Sequence, residues 1–242
     1  MGYGGKHCYP GTDVLINKYD IRDGKILDKF EVQKTLAKLT ALHMEPNRLK
    51  RPCNMDYLRK LNEYIFGDIY EWAGNFRQEN IIKFEAVLSG GQVKYADPLN
   101  IENELNAIFE KYINFNWNDK EKLVKASCDL LVSIWLVHPF REGNTRTCTT
   151  FLWEYLLERG IYFNSELFRL NPKFVRNALV VYVYGQCDPL ERIMKDALEE
   201  NLKEQDLDIF FDEHINDAKE TYKITKKEYE VFKEKYRILK NE

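Results

Sequence analysis

The sequence lacks the features that mark several large classes of protein. No apolar run is long enough to cross a bilayer, and the start is not the charged-then-apolar form of a signal peptide. Basic residues show no excess, since 36 Lys and Arg stand against 39 Asp and Glu, a net charge of −3. Five cysteines without paired spacing indicate reduced thiols. We therefore expect a cytoplasmic protein with no nucleic-acid partner and no membrane association.

What the chain does contain is apolar residues at helical spacing. With 242 residues, of which 44% are hydrophobic, it can bury a substantial core. Periodicity predicts helices over 28–43, 54–66, 101–113 and from about Asn118 to Val137, the last with a capping box formed by Asn118 and Glu121. Pro139 should end that helix, because the residue before a proline is pushed out of the helical region. A further buried helix should begin at Thr145 or Arg146 and stop near Gly160.

One segment reads as β-structure, and another differs in composition. Residues 81–88 and 92–95 flank Gly90-Gly91 and predict a small hairpin in a chain that is otherwise all-α. Residues 203–242 are dense in charge with spaced apolar residues. That segment is predicted to be either an amphipathic terminal helix or a partner-binding tail.

The loop between the two buried helices carries groups suited to phosphate chemistry. Gly143-Asn144 precedes a helix, so converging backbone N–H groups and the helix dipole can bind an anion. Arg146 can add a charge-assisted pair of hydrogen bonds, and Glu142 can hold Mg²⁺ together with substrate phosphates. His138 can accept a proton near neutral pH.

Ordinary structural roles compete with each of these interpretations. His138 can be a structural histidine, Glu142 a loop carboxylate, Gly143-Asn144 a simple cap, and Cys148 a small buried residue rather than a reactive thiol. His138 and Glu142 have the four-residue spacing of a zinc pair, but Pro139 argues against a continuous helix there. The joint arrangement favours phosphate chemistry.

The run from His138 to Arg146, HPFREGNTR, closely resembles the Fic-domain motif HPFx(D/E)GNGRxxR. Further similarity lies in 65–77, in Asn80 to Lys83, and in 184–190. The resemblance spans residues 10–200, which we take as a Fic domain, with 203–242 as a charged helical C-terminal extension.

The resemblance implies a helical domain with a β-hairpin flap that transfers AMP from ATP to a hydroxyl of a target protein or of itself. His138 would be the general base, Glu142 would hold Mg²⁺ on the α- and β-phosphates, and Phe140 would anchor the loop. The phosphates would be cradled by Gly143, Asn144, Thr145 and Arg146, and a target segment would dock on the flap near Ile81, Ile82 and Lys83. Partners would be ATP and a protein bearing a Ser, Thr or Tyr hydroxyl. Homo-oligomerisation and secretion as an effector are left open.

Two residues depart from the family pattern. Thr145 stands where the family has glycine, so this position should adopt an ordinary helical start, with its hydroxyl as an added phosphate donor. Thr149 stands where the family has a second arginine, which grips the γ-phosphate. The inhibitory (S/T)xxxE(G/N) helix, whose glutamate pairs with that arginine, is also absent: only Thr150 to Glu154 has the spacing, within the core helix. Two alternatives remain, namely transfer of another phosphate-containing group and a degenerate binding module.

Overall fold

The structure is a computed structural model that describes residues 6–45, 49 and 53–199. Helices account for most of this part of the chain, and the only paired strands in it form one short hairpin. This confirms the predicted fold class, an all-α protein with a small β-hairpin. The helices are α1 (Gly24–Met44), α2 (Met55–Phe66), α3 (Ile101–Ile113), α4 (Lys120–Val137), α5 (Asn144–Leu157), α6 (Ser165–Leu170), α7 (Pro172–Val183) and α8 (Asp188–Leu198).

The described chain divides into two compact units. The first contains the described residues up to Arg77 together with Phe140–Gly143, and the second contains Gln78–Pro139 and the described residues from Asn144 onward. In the first unit α1 packs on α2. The Asp23 carboxylate accepts hydrogen bonds from the backbone N–H groups of Lys25 and Ile26, and this cap starts α1 four residues before the predicted position.

Helix α4 is the centre of the second unit, where it packs against α3, α5, α7 and α8. Its apolar face is buried, and Trp135 is among the largest fully buried side chains. The helix ends at Val137, as Pro139 predicts. Its predicted capping box is wrong: the N-cap is Asp119, whose carboxylate pairs with the ammonium of Lys122 at 2.8 Å.

The hairpin is shorter than predicted. Strands β1 (Phe84–Glu85) and β2 (Gly91–Gln92) pair antiparallel, with Phe84 opposite Gln92. A 3₁₀ turn over Ala86–Leu88 replaces the end of the predicted first strand, and Ser89 and Gly90 follow it with positive φ. Residues 81–83 and 93–95 lie outside the ladder. The predicted extension, 203–242, lies outside the described residues. None of the helices described above is both long and apolar enough to traverse a bilayer.

Candidate active site

His138 lies at the C-terminal end of α4 in a left-handed backbone conformation, with φ 51° and ψ 56°. Its backbone N–H donates to the carbonyl of Trp135 at 3.1 Å, which closes the last turn of the helix. A non-glycine residue in this region carries a conformational cost of about 1–2 kcal/mol. The side chain is therefore delivered at a defined point by a helix that is itself buried.

The imidazole of His138 is held by two aromatic neighbours. Its ring stacks on Tyr95, with centroids 3.9 Å apart and planes 22° apart, and it meets the Trp135 ring edge-on at 5.8 Å. Nδ1 lies 3.3 Å from the carbonyl oxygen of Trp135. A carbonyl can only accept, so this hydrogen bond requires the proton on Nδ1 and leaves the basic lone pair on Nε2. The ring is fully buried, so an incoming hydroxyl requires displacement of a group that covers it.

Glu142 and Gly143 belong to the first unit and form the end of the motif loop. Gly143 has φ 77°, and a Cβ placed on it would overlap the ring of Phe66. Only glycine fits there. A carboxylate oxygen of Glu142 accepts from the Gly143 N–H at 2.9 Å, and the Glu142 carbonyl accepts from the Asn62 amide at 3.5 Å. Phe140, in the same unit, is fully buried with its ring 5.6 Å from that of Phe76.

Helix α5 begins directly after Gly143, and its first turn contains no acidic residue. Asn144, Thr145 and Arg146 occupy that turn, so the positive end of the helix dipole is reinforced by Arg146 and opposed by no carboxylate of its own. The helical start confirms the conformation predicted for Thr145. Its hydroxyl oxygen accepts from the indole N–H of Trp135 at 3.1 Å, while the hydroxyl keeps its own hydrogen to donate.

Two further residues of α5 have settled roles. The hydroxyl of Thr149 lies 2.9 Å from the carbonyl of Thr145 and 3.1 Å from that of Arg146, so it donates to its own helix. It does not replace a phosphate-binding arginine. Cys148 is fully buried, and burial raises the pKa of its thiol well above the usual value. A thiol in that state is unreactive, which confirms the structural interpretation.

The flap residues differ in exposure. Ile82 is exposed, whereas Ile81 and Lys83 are half-buried, and none of the three lies in the ladder. The exposed Phe84 begins β1, while Glu85 turns inward and is buried.

Potential metal ligands are sparse. Within the described ranges, no cluster of three or more His, Cys, Asp or Glu side chains could hold a metal ion. Mg²⁺ does not require such a cluster, because it commonly binds through one or two carboxylates plus substrate phosphates. Glu142, a half-buried carboxylate with several acceptor sites, fits that requirement as a single protein ligand.

Three contributors to the site are not evident from the sequence. Tyr95 covers the His138 ring, Trp135 holds both His138 and Thr145, and Asn62 holds the Glu142 backbone. Asn62 also accepts from the Gly74 N–H at 2.9 Å, within the predicted 65–77 region. The contacts of Trp135 are close in sequence and follow from its place three residues before His138. Those of Tyr95 and Asn62 depend on tertiary packing.

Comparison with known proteins gives a consistent result. The sequence profile of the Fic/DOC family matches residues 52–156. A Sinorhizobium fredii protein described as "Probable protein adenylyltransferase y4lH" is 32% identical over 187 residues, covering 76% of this chain and 90% of that protein. "Protein adenylyltransferase VbhT" of Bartonella schoenbuchensis is 25% identical over 194 residues, 79% of this chain and 38% of VbhT.

Solved structures agree on the fold. The BepC protein of Bartonella tribocorum, crystallised with bound AMPPNP, superposes with a TM-score of 0.65 at 20% identity, covering 79% of this chain and 95% of BepC. The helical fold with a hairpin is therefore shared. On the strength of the profile match and of the relative aligned over nine-tenths of its length, this chain belongs to the Fic/DOC family.

Proposed function

We propose that this chain is a protein adenylyltransferase that transfers AMP from ATP to a Ser, Thr or Tyr hydroxyl of a target protein or of itself. The observation that carries the proposal is the contact of His138 Nδ1 with the carbonyl oxygen of Trp135, an acceptor, which assigns the proton to Nδ1 and leaves Nε2 as the basic nitrogen. The description of the relatives as protein adenylyltransferases supports the same reaction. The domain that performs it would span residues 10–200.

The reaction is an in-line displacement at the α-phosphorus. The target hydroxyl oxygen forms a bond to that phosphorus while Nε2 of His138 takes the hydroxyl proton. The bond from the α-phosphorus to the oxygen that bridges it to the β-phosphate breaks, and pyrophosphate leaves. Positioning and charge neutralisation supply most of the acceleration in such transfers.

The phosphates would be bound by the segment from Gly143 to Arg146. The first turn of α5 offers backbone N–H groups, the guanidinium of Arg146 offers paired donors, and the hydroxyl of Thr145 is oriented by Trp135. Glu142 would hold Mg²⁺, which supplies charge neutralisation on the α- and β-phosphates when bound. Phe140 would fix the loop through its buried ring.

The target segment would dock along the flap. Strand β1 is only two residues long, and Ile81, Ile82 and Lys83 precede it outside the ladder. An extended peptide added at this edge would be held by backbone hydrogen bonds, with the exposed Ile82 available to its side chains.

We also propose that the protein works in the cytoplasm. All five cysteines are described, and none forms a disulfide. This agrees with a reducing compartment, where ATP is available as co-substrate.

The test is label transfer by wild type and His138→Ala. With α-labelled ATP, Mg²⁺ and a cell lysate, the wild type should label protein, and mass spectrometry should find AMP on a hydroxyl residue. Loss of a general base should lower the rate by about 10²–10⁴-fold. The variant should still bind ATP. Equal labelling by both proteins would refute the role of His138, and chelation of Mg²⁺ should abolish labelling if Glu142 acts through the ion.

Thr149 favours one second candidate, the transfer of a different phosphate-containing group. Its hydroxyl is committed to the helix backbone, so this side chain does not fix the γ-phosphate as an arginine would. Parallel reactions with α-labelled and γ-labelled ATP separate the two. Label retained only from the γ position would identify phosphoryl transfer.

The complete burial of His138 favours the other candidate, a degenerate binding module. A module that only binds nucleotide would be stabilised by ATP against thermal unfolding but would transfer no label under any condition. Wild type and His138→Ala would then behave alike.

A further inference from the structure

An ion pair with a buried carboxylate joins the flap to α7. Arg176, in the first half of α7, contacts Glu85 of β1 through Nη2 to one carboxylate oxygen and through Nε to the other at 3.3 Å. The Glu85 side chain is only 6% exposed. A charge at such depth costs free energy unless it is paired, so the Glu85 carboxylate depends on Arg176 for its buried position.

The same guanidinium also reaches the ring that covers His138. Nη2 of Arg176 donates to the hydroxyl oxygen of Tyr95 at 3.3 Å, and that hydroxyl donates to Glu85 at 3.5 Å. Burial raises the pKa of Tyr95 to about 12, which keeps the phenol neutral and able to donate. The guanidinium further lies over the Trp135 ring at 5.5 Å.

A continuous path of contacts thus runs within the second unit. It leads from β1 through Glu85 to Arg176, then to Tyr95 and Trp135, and both of these rings touch the His138 imidazole. Tyr184, at the end of α7, adds a second link between this helix and the flap by donating to the carbonyl of Gln92 at 3.2 Å. Helix α7 therefore fixes both strands of the hairpin.

We infer that Arg176 is a positioning residue, which holds the flap and the imidazole of His138 in one register. It acts through Glu85 on the strand where a target would dock, and through Tyr95 on the ring that would take the proton. This inference rests on the proposed function for its catalytic consequence, but its structural content, the orientation of the His138 ring, does not depend on AMP transfer.

The test removes the ion pair without leaving a buried charge. In Glu85→Gln/Arg176→Gln both partners become neutral amides, whereas a single substitution would leave one charge without its partner. The control is Glu166→Gln/Arg169→Gln, which makes the same two substitutions in a more exposed bidentate Arg–Glu pair on α6 of the same unit. Tyr95→Phe keeps the stacked ring but detaches it from Arg176.

Two readouts are taken on protein shown by circular dichroism to be folded. In transfer from α-labelled ATP, the double variant should lose about tenfold to a hundredfold in apparent kcat, since misplacing a catalytic group by about 1 Å costs on that order. The apparent KM for ATP should change by less than about twofold, because no phosphate contact is touched. In ¹⁵N NMR of the histidines, the His138 signals should shift from the Nδ1–H tautomer towards a mixture. Tyr95→Phe should change both readouts in the same direction.

The outcomes separate the two proposals. Unchanged kcat and unchanged His138 signals in the double variant would overturn the positioning role, as would equal losses in the Glu166→Gln/Arg169→Gln control. A rise in KM for ATP equal to the loss in kcat would overturn it too. If the wild type transfers no AMP, the proposed function fails, and the NMR comparison alone decides whether Arg176 positions His138.

Discussion

The residues at the two ends of the motif loop share a backbone conformation but differ in their side chains. His138 and Gly143 both have left-handed conformations, with φ of 51° and 77°. At residue 138 the chain keeps a large side chain and surrounds it with Tyr95 and Trp135. At residue 143 it keeps none, because Phe66 occupies the space where a Cβ would lie.

This difference indicates that residue 138 matters for its side chain and residue 143 for its backbone conformation. The strained position at the start of the loop holds an imidazole, for which a conformational cost is tolerated. The position at its end sets the path of the backbone into α5, and in the proposed function it also borders the phosphates. Under the proposed function, substitutions at 138 should remove activity, whereas substitutions at 143 should affect folding first.

The largest effect on this comparison is expected from Gly143→Ala, which adds a side chain at the end of the loop that has none. We expect the free energy of unfolding to fall by about 2–5 kcal/mol, from left-handed strain and from overlap with Phe66. Urea unfolding measures it. Gly11→Ala is the control, because Gly11 has φ 76° in the same unit and no atom within 4 Å of the added Cβ. Equal losses in both variants would show that Phe66 contributes nothing.

Thr149→Arg places an arginine on α5 at the position where the family pattern has one. If the new guanidinium pairs with a phosphate, ATP should bind about tenfold to a hundredfold more tightly, which corresponds to about 1.5–3 kcal/mol for a hydrogen-bonded charge. Isothermal titration with ATP measures the change. Thr149→Gln, which is shorter and neutral, should give less than about a third of that gain. Affinity that stays at the wild-type value would count against the phosphate assignment.

Thr145→Val tests the hydrogen bond between α4 and α5, because it deprives the buried indole N–H of Trp135 of its acceptor. Leaving such a donor unpaired should cost about 1–3 kcal/mol of unfolding free energy. Thr145→Ser retains the hydroxyl and should retain most of the stability. A valine variant as stable as the serine variant would contradict the role of this hydrogen bond.

The smallest effect compares His138→Gly with His138→Ala. Both lack the ring and should lack activity, but glycine should be more stable by about 1 kcal/mol, because it adopts positive φ without strain. Thermal unfolding resolves the pair. At Asn106, exposed in the middle of α3, the same two substitutions should rank in the reverse order. Alanine proving better at both positions would argue against the left-handed conformation of residue 138.

Local signals made the centre of this site predictable. Apolar periodicity and Pro139 predict where α4 ends, and the motif predicts that α5 starts beside Gly143. The extent of the flap was not predictable by the same means, because β-rich composition over 81–88 does not reveal the 3₁₀ turn over Ala86–Leu88. The first turn of α1 depends on the Asp23 cap, which lies outside the periodic stretch.

The contacts that hold the site are the least predictable part. The Arg176–Glu85 pair joins residues 91 positions apart, and the Tyr95–His138 stack brings a loop after the hairpin onto a helix end. No spacing rule connects such residues, because their proximity follows from how α4 and α7 pack. Sequence reasoning finds groups that could do chemistry, and tertiary structure decides what holds them.

The burial of Cys148 has a consequence for the conditions this protein tolerates. Cys187, at the start of α8, is partly exposed, so an oxidant would reach its sulfur before it reached that of the buried Cys148. Changes of redox environment should therefore leave the buried thiol of α5 chemically intact.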